Sequence, residues 1–349
     1  MIPVFDGHND FIQRVVAAGP DGVRTWLQGD GTGHLDLPRM QAGGVVGGFF
    51  AIWIPSPAGL DDAAAVHAME NPPYALPLPD AIGADAALPH AMAQAAALKA
   101  LERTGTLDIV TSVAGIRRSI AEGRIAAIMH VEGAEAVADM DALHLWHAMG
   151  LRSLGPVWSR PTAYGHGVPF AYPAGPDIGP GLTAAGRDLV AECDRLRIML
   201  DLSHLNEAGF DDVARLSSQP LVASHSCVHR ICPSARNLTD RQLGVIADSG
   251  GLVGLNFASS FLRPDGVRQP VQDLDVMLRH LDHLLDILGE DGVALGSDFD
   301  GAVMPADLPD AAALQALIGA MQAHGYGDAL IRKIAAENWL AVLQRIWGA

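Results

Sequence analysis

The sequence predicts a (β/α)8 barrel, and three observations carry that expectation. Eight short apolar runs recur along the 349 residues, at 2–5, 45–53, 125–131, 151–156, 198–202, 221–223, 252–255 and 293–296. They read as strands buried on both faces, the mark of a parallel sheet. Helix-like stretches separate them. Ionisable residues stand where the runs end. A doubly wound open sheet shares the first two features, but the third decides: the functional groups of a barrel come from the carboxyl ends of several strands and converge on one mouth.

Composition bounds the rest. Hydrophobic residues make up 49% and charged residues 18%, which supplies a large core and marks no disordered half. A single barrel domain over 1–349 is expected, with long loop insertions at about 55–105 and 157–181. The net charge of -17, from 40 acidic and 23 basic residues, repels nucleic acid and anionic membrane surfaces. No secretory leader pattern and no membrane-spanning apolar stretch is read, so a cytoplasmic location is expected. Cys193, Cys227 and Cys232 are an odd number without metal-finger spacing and suit a reducing interior.

Taken in order, the first run leads into Asp6-Gly7-His8-Asn9-Asp10. A His-x-Asp pair leaving a strand puts an imidazole and a carboxylate on one side of the backbone, and together they suit zinc or a similar divalent ion. A polar, glycine-rich stretch runs to Met40 and the second run follows. Residues 55–89 form a long excursion with at least one helical piece, and 84–103 is alanine-rich and helical. The third run ends in Glu132. A helix over 140–149 precedes the fourth run, which opens into a proline- and glycine-rich loop, 157–181, a candidate lid. A helix over 182–195 leads to the fifth run and His204, and another helix to the sixth and His225. Helices over 242–249 and 276–288 flank the seventh run, the eighth ends at Asp298, and 328–347 is a closing helix.

Three histidines and three carboxylates at strand ends suit two divalent ions rather than one, and two such ions need a bridging anion. The only lysines, Lys99 and Lys333, lie away from strand ends, so Glu132 is left to bridge. His130, two residues before Glu132, shares its face by the strand period. His280, His283, His144 and His147 lie in helix-like stretches and read as solvated surface, while Cys227 and Cys232 read as core or loop.

With these residues in place the sequence resembles the membrane dipeptidase (renal dipeptidase) family of the amidohydrolase superfamily, in its soluble bacterial form. The resemblance runs through Asp6-Gly7-His8-Asn9-Asp10, Val131-Glu132-Gly133, Asp201-Leu202-Ser203-His204, Ser224-His225-Ser226 and Gly296-Ser297-Asp298-Phe299-Asp300-Gly301. It implies a dipeptidase with two zinc ions per chain, His8 and Asp10 on one, His204 and His225 on the other, and Glu132 bridging. It further implies Asp298 as the general acid/base acting on a metal-bridging hydroxide, Arg236 on the terminal carboxylate of the substrate, and a homodimer. One departure stands out: the histidine that the family carries beyond strand four, which helps hold the scissile carbonyl, is matched by Trp158. His166, eight residues on, is the candidate replacement. Substrates are then dipeptides, L-Xaa-D-Xaa as well as L-Xaa-L-Xaa. The rival expectations are another barrel hydrolase, acting on lactones, phosphoesters or cyclic amides, and a barrel that binds metal or peptide without catalysis.

Overall fold

In the computed structural model, which describes residues 1–56 and 63–348, eight parallel strands close on themselves. β1 (Val4–Asn9), β2 (Val45–Trp53), β3 (Ile125–Glu132), β4 (Leu151–Gly155) and β5 (Met199–Leu200) pair in that order. β6 (Val222–Ser226), β7 (Leu252–Asn256) and β8 (Val293–Gly296) form a second run. Single parallel bridges join the two, Asp201 to Val222 and Asn9 to Phe299. The sheet is thereby a barrel, as expected, with its strand ends gathered at one mouth.

Two apolar layers hold it. Outside the strands, Phe11, Trp26, Phe50, Phe210 and Leu281 belong to the large core between sheet and helices. Inside, Phe5, Phe49, Ile128, Met199, Val222 and Leu252 pack with Trp339, Val342 and Leu343 of the helix Asn338–Trp347. This helix supplies the barrel's floor. Trp339 enters because Gly7 has no side chain: a Cβ there would collide with Trp339 and with the Ser224 carbonyl. The Trp339 indole N–H donates to the Leu295 carbonyl at 2.9 Å, so its polar atom is satisfied inside the core.

The helices expected from sequence stand at Ala84–Glu102, Met140–Met149, Ala184–Leu196, Asp240–Asp248 and Asp275–Leu288. Side-chain caps set several starts; Asp139, Thr183 and Thr239 each accept from a backbone N–H three residues on. Three features differ from the sequence reading. The stretch before Met40 is not a mere connection but holds Phe11–Ala17, Gly22–Gln28 and Leu37–Gly43, each burying only two or three side chains, too few for a clear period. A short extra strand, Leu107–Ile109, pairs with the start of β3. The closing helix is interrupted by a π turn at Lys333–Glu337.

The long excursion contains a helix, Ala63–Glu70, and a two-residue strand, Tyr74–Ala75, that pairs antiparallel with Ala171–Tyr172. Part of that excursion, 57–62, lies outside the described residues. The two insertions are thus stitched together above the mouth. No helix among the described residues is long and apolar enough to cross a membrane.

Candidate metal centre

His8 lies within β1 and Asp10 directly follows it, so the pair is placed by a strand rather than by a loop. Asp6, on the same side by the period of two, accepts from the Ser297 N–H at 2.7 Å and its hydroxyl at 2.9 Å. That clasp ties the first strand to the end of the last. Glu132 closes β3, His204 follows β5 and His225 lies in β6. His204, Asp298 and Asp300 all hold left-handed backbone, with φ of 68°, 60° and 67°, a conformation that side chains with a Cβ rarely adopt away from functional turns.

The side chains converge. Glu132 Oε1 lies 3.0 Å from His204 Nε2 and 3.4 Å from His225 Nε2, while its Oε2 lies 3.6 Å from His8 Nε2. Asp10 Oδ2 is 3.7 Å from the same His8 nitrogen, and the Nε2 atoms of His204 and His225 are 3.2 Å apart. Two ligand atoms of one tetrahedral divalent ion, each about 2.0–2.1 Å from it, stand about 3.3 Å apart. The observed spacings scatter around that value. Both ring nitrogens of His8 are buried without a hydrogen-bond partner among the described residues, which is costly unless a cation takes a lone pair. His8, Asp10 and Glu132 form one group able to hold an ion, Glu132, His204 and His225 another, and His8, Asp201 and His225 a third that shares both histidines with them. The residues present therefore fit a divalent metal.

Partners behind the histidines fix which nitrogen faces inward. His204 Nδ1 lies 2.8 Å from Ser159 Oγ, and His225 Nδ1 lies 2.7 Å from Ser224 Oγ, whose hydroxyl meets Asp201. With Nδ1–H donating outward, Nε2 turns its lone pair to the centre. His130 is buried on the expected face, its Nδ1 2.8 Å from Ser153 Oγ and its Nε2 3.6 Å from Asp201. Of this supporting set the sequence pointed to His130 alone, through its place on the Glu132 face; the serines and Asp201 were missed, and their only trace was Ser224 beside His225.

Burial works against charge throughout. It pushes the carboxyls of Glu132 and Asp298 up and holds His204 and His225 well below the usual imidazole range, with Arg236 and His8 adding to the effect. Neutral imidazole is the ligand form. His8 goes the other way. Burial pulls it down, but the charges of Glu132, Asp10 and Asp298 outweigh that and raise it to about 10. The field of the carboxylates is thus one that draws positive charge.

A cavity of about 390 Å³ opens beside the cluster, lined by Asp10, Glu132, Trp158, His204 and Asp298 among others. Asp298 Oδ2 accepts from the Asn256 amide at 2.9 Å. Trp158 is buried against His204, 5.8 Å between ring centroids. His166 is not among the lining residues. Its carbonyl accepts from Asn206 N–H at 3.2 Å, and the neighbouring Gly167 pairs with Leu205, so this segment is stitched down to the loop after β5. Arg236 is buried too, donating to Ser226 Oγ at 2.9 Å and to the His225 carbonyl at 2.7 Å, while its Nε has no acceptor. His280, expected on the surface, is fully buried, because its helix packs against the loop after β6: Val228 N–H donates to its Nδ1 at 3.1 Å.

A parallel barrel with a buried histidine and carboxylate cluster at its strand ends is the architecture of a metal-dependent hydrolase. The comparisons narrow the class: the sequence model of the membrane dipeptidase family, peptidase family M19, matches residues 1–347, and the chain belongs to that family. It is a metallo-dipeptidase. A metallo peptidase from Rhodobacter sphaeroides, solved with a phosphinate mimic of the dipeptide L-Ala-D-Ala, is 58% identical over 99% of both chains, with a TM-score of 0.98. Dipeptidase tcpJ of Claviceps purpurea is 26% identical over 98% of this chain and 76% of its own. An amidohydrolase from Pseudomonas aeruginosa shares the fold at 20% identity, with a TM-score of 0.76 over 100% of this chain and 97% of its own.

Proposed function

We propose that the chain hydrolyses dipeptides, L-Xaa-D-Xaa among them, with two zinc ions held by its strand-end residues. His8 and Asp10 would hold one ion, His204 and His225 the other, and Glu132 would span both. The observation that carries this reading is the divided carboxylate of Glu132, one oxygen toward His204 and His225 and the other toward His8. Bound there, the ions would polarise the scissile carbonyl and lower the pKa of water in the site.

The remaining chemistry falls to side chains. Asp298, anchored through one oxygen by Asn256 and raised in pKa by burial, would take the proton of the attacking water and return it to the departing amine nitrogen. Arg236 keeps its unpartnered Nε for the free carboxylate of the substrate, a charge-assisted contact. That contact favours dipeptides over internal peptide bonds. Trp158 forms part of the cavity wall. His166 has no role in this reading: its side chain lies outside the lining and its segment is tied to the loop after β5, whereas Arg236, also outside the lining, donates to the carbonyl of the proposed ligand His225. The stereochemistry follows the mimic bound by the Rhodobacter protein. The homodimer implied by the resemblance is retained and is read directly by sedimentation velocity.

The test is elemental analysis of purified protein together with hydrolysis of L-Xaa-L-Xaa and L-Xaa-D-Xaa dipeptides before and after chelation. Two zinc ions per chain and chelator-sensitive cleavage are expected. One ion per chain at full activity would overturn the bridging role of Glu132, and equal cleavage of C-terminally amidated dipeptides would overturn the role of Arg236.

A further inference from the structure

The cavity beside the cluster is lined by two unlike sets of side chains. Asp10, Asp298 and Asp300 are carboxylates. The other set is four rings that follow one another. Trp53 meets Trp158 edge to face at 5.1 Å and 69°, Trp158 meets Phe170 at 5.7 Å and 62°, and Phe170 stacks on Phe261 at 5.9 Å and 5°. All four line the cavity. Aromatic residues are only 5% of the chain, so their gathering on one wall needs a cause.

Ordinary core packing does not supply it. Trp53 and Phe170 are half-buried rather than closed over. The Trp53 indole N–H is buried without an acceptor among the described residues, although such groups normally find one. The backbone of Trp53, by contrast, is held in both directions by one side chain: its N–H donates to Gln94 Oε1 at 3.0 Å, and its carbonyl accepts from Gln94 Nε2 at 2.6 Å. The ring is held in place at the rim, and its packing is left incomplete.

The wall also has a direction. Trp53 pairs with Glu132 across the β2–β3 ladder, and Trp158 follows β4, so this end belongs to strands two to four. Arg236 lies at the other end, its guanidinium carbon 5.8 Å from the Phe261 ring centroid, beside strands six and seven. A dipeptide with its carboxylate at Arg236 and its scissile carbonyl over the cluster directs its amino-terminal residue to Trp53.

We propose that Trp53 and Trp158 form the subsite for the amino-terminal side chain of the dipeptide and select an aromatic one. The assignment rests on the orientation given by Arg236 in the reading above. Ring-on-ring contact, added to the apolar area covered, favours an aromatic side chain over a methyl group by about tenfold or more in kcat/KM.

The experiment compares L-Xaa-D-Ala dipeptides, with Xaa alanine, leucine, phenylalanine or tryptophan, on the zinc-loaded full chain, alongside the mirror series L-Ala-D-Xaa and the amidated L-Phe-D-Ala. Phe-D-Ala is expected to exceed Ala-D-Ala by about tenfold or more. Trp53→Leu should shrink that ratio to about threefold or less, whereas Trp53→Phe, which keeps a ring, should retain most of it. A ratio near one in the unsubstituted enzyme, a preference that follows the carboxy-terminal residue, or a Trp53→Leu variant that slows all substrates alike would each overturn the subsite. Efficient cleavage of the amidated dipeptide marks a different failure. It overturns the Arg236 orientation, and the wall can then no longer be assigned to the amino-terminal residue.

Discussion

Asp298 and Ser224 separate two kinds of contribution to one site. Asp298 touches the cavity but belongs to none of the three candidate ligand groups. Asp298→Asn keeps the shape and the Asn256 contact yet removes the proton acceptor, so kcat should fall about 10²–10⁴-fold with metal content unchanged on elemental analysis. Loss of metal from this variant would make Asp298 a ligand instead. Ser224 is never near the substrate. It passes the charge of Asp201 to His225 Nδ1, so Ser224→Ala should weaken metal binding about 10–100-fold, read by competition with a chromogenic chelator. Ser159→Ala, which removes a hydroxyl with no carboxylate behind it, should weaken binding less.

At the level of elements, the helix Asp275–Leu288 carries a residue whose role the sequence conceals. Its amphipathic pattern is strong, and a histidine beside aspartates suggested a solvated face. In the fold His280 turns inward, accepting from Val228 N–H and donating from Nε2 to the Leu262 carbonyl at 3.0 Å, and so pins the helix to the loops after β6 and β7. Burial pulls its pKa to about 4. Between pH 6.5 and 4 the unfolded chain takes up a proton here and the folded chain does not. Stability is therefore full above pH 6.5 and declines as the pH falls through that window, by about 3 kcal/mol in total. Urea unfolding of the wild type and of His280→Gln should show their difference in stability changing by up to about 1.4 kcal/mol per pH unit there. Parallel curves would mean that His280 protonates freely in the folded state.

Much of the whole molecule was legible in the sequence because buried parallel strands are plain apolar runs, and five of the eight lead into a residue too polar to be buried without purpose. His8, Asp10, Glu132, His204, His225 and Asp298 could be picked out one by one on that ground. What stayed hidden depends on contacts between distant segments: the serines behind the histidines, the inward turn of His280, and the ring of Trp53, which looked like the end of a strand. The three short helices before Met40 stayed hidden because each buries too little to show a period. Bound metal would join β1, β3, β5 and β6 through the proposed ligands, so chelation should lower the melting temperature as well as activity, and the recovery should grow with free zinc concentration when zinc is restored. A melting temperature indifferent to chelator would show that the barrel holds the cluster together without help.

The floor of the barrel sets an order on assembly. Gly7, one residue before His8, is kept bare so that Trp339 can lie against it, and these two positions are separated by most of the chain. During synthesis the first strand is made long before the ring that supports it from below, which comes only with the helix Asn338–Trp347. Contacts of such sequence separation form slowly, because the loop they close must be ordered before they return anything. A nascent chain therefore carries His8 for nearly the whole of translation on a strand without that support. The proposed ligands can reach their final geometry only after the last of these elements has docked.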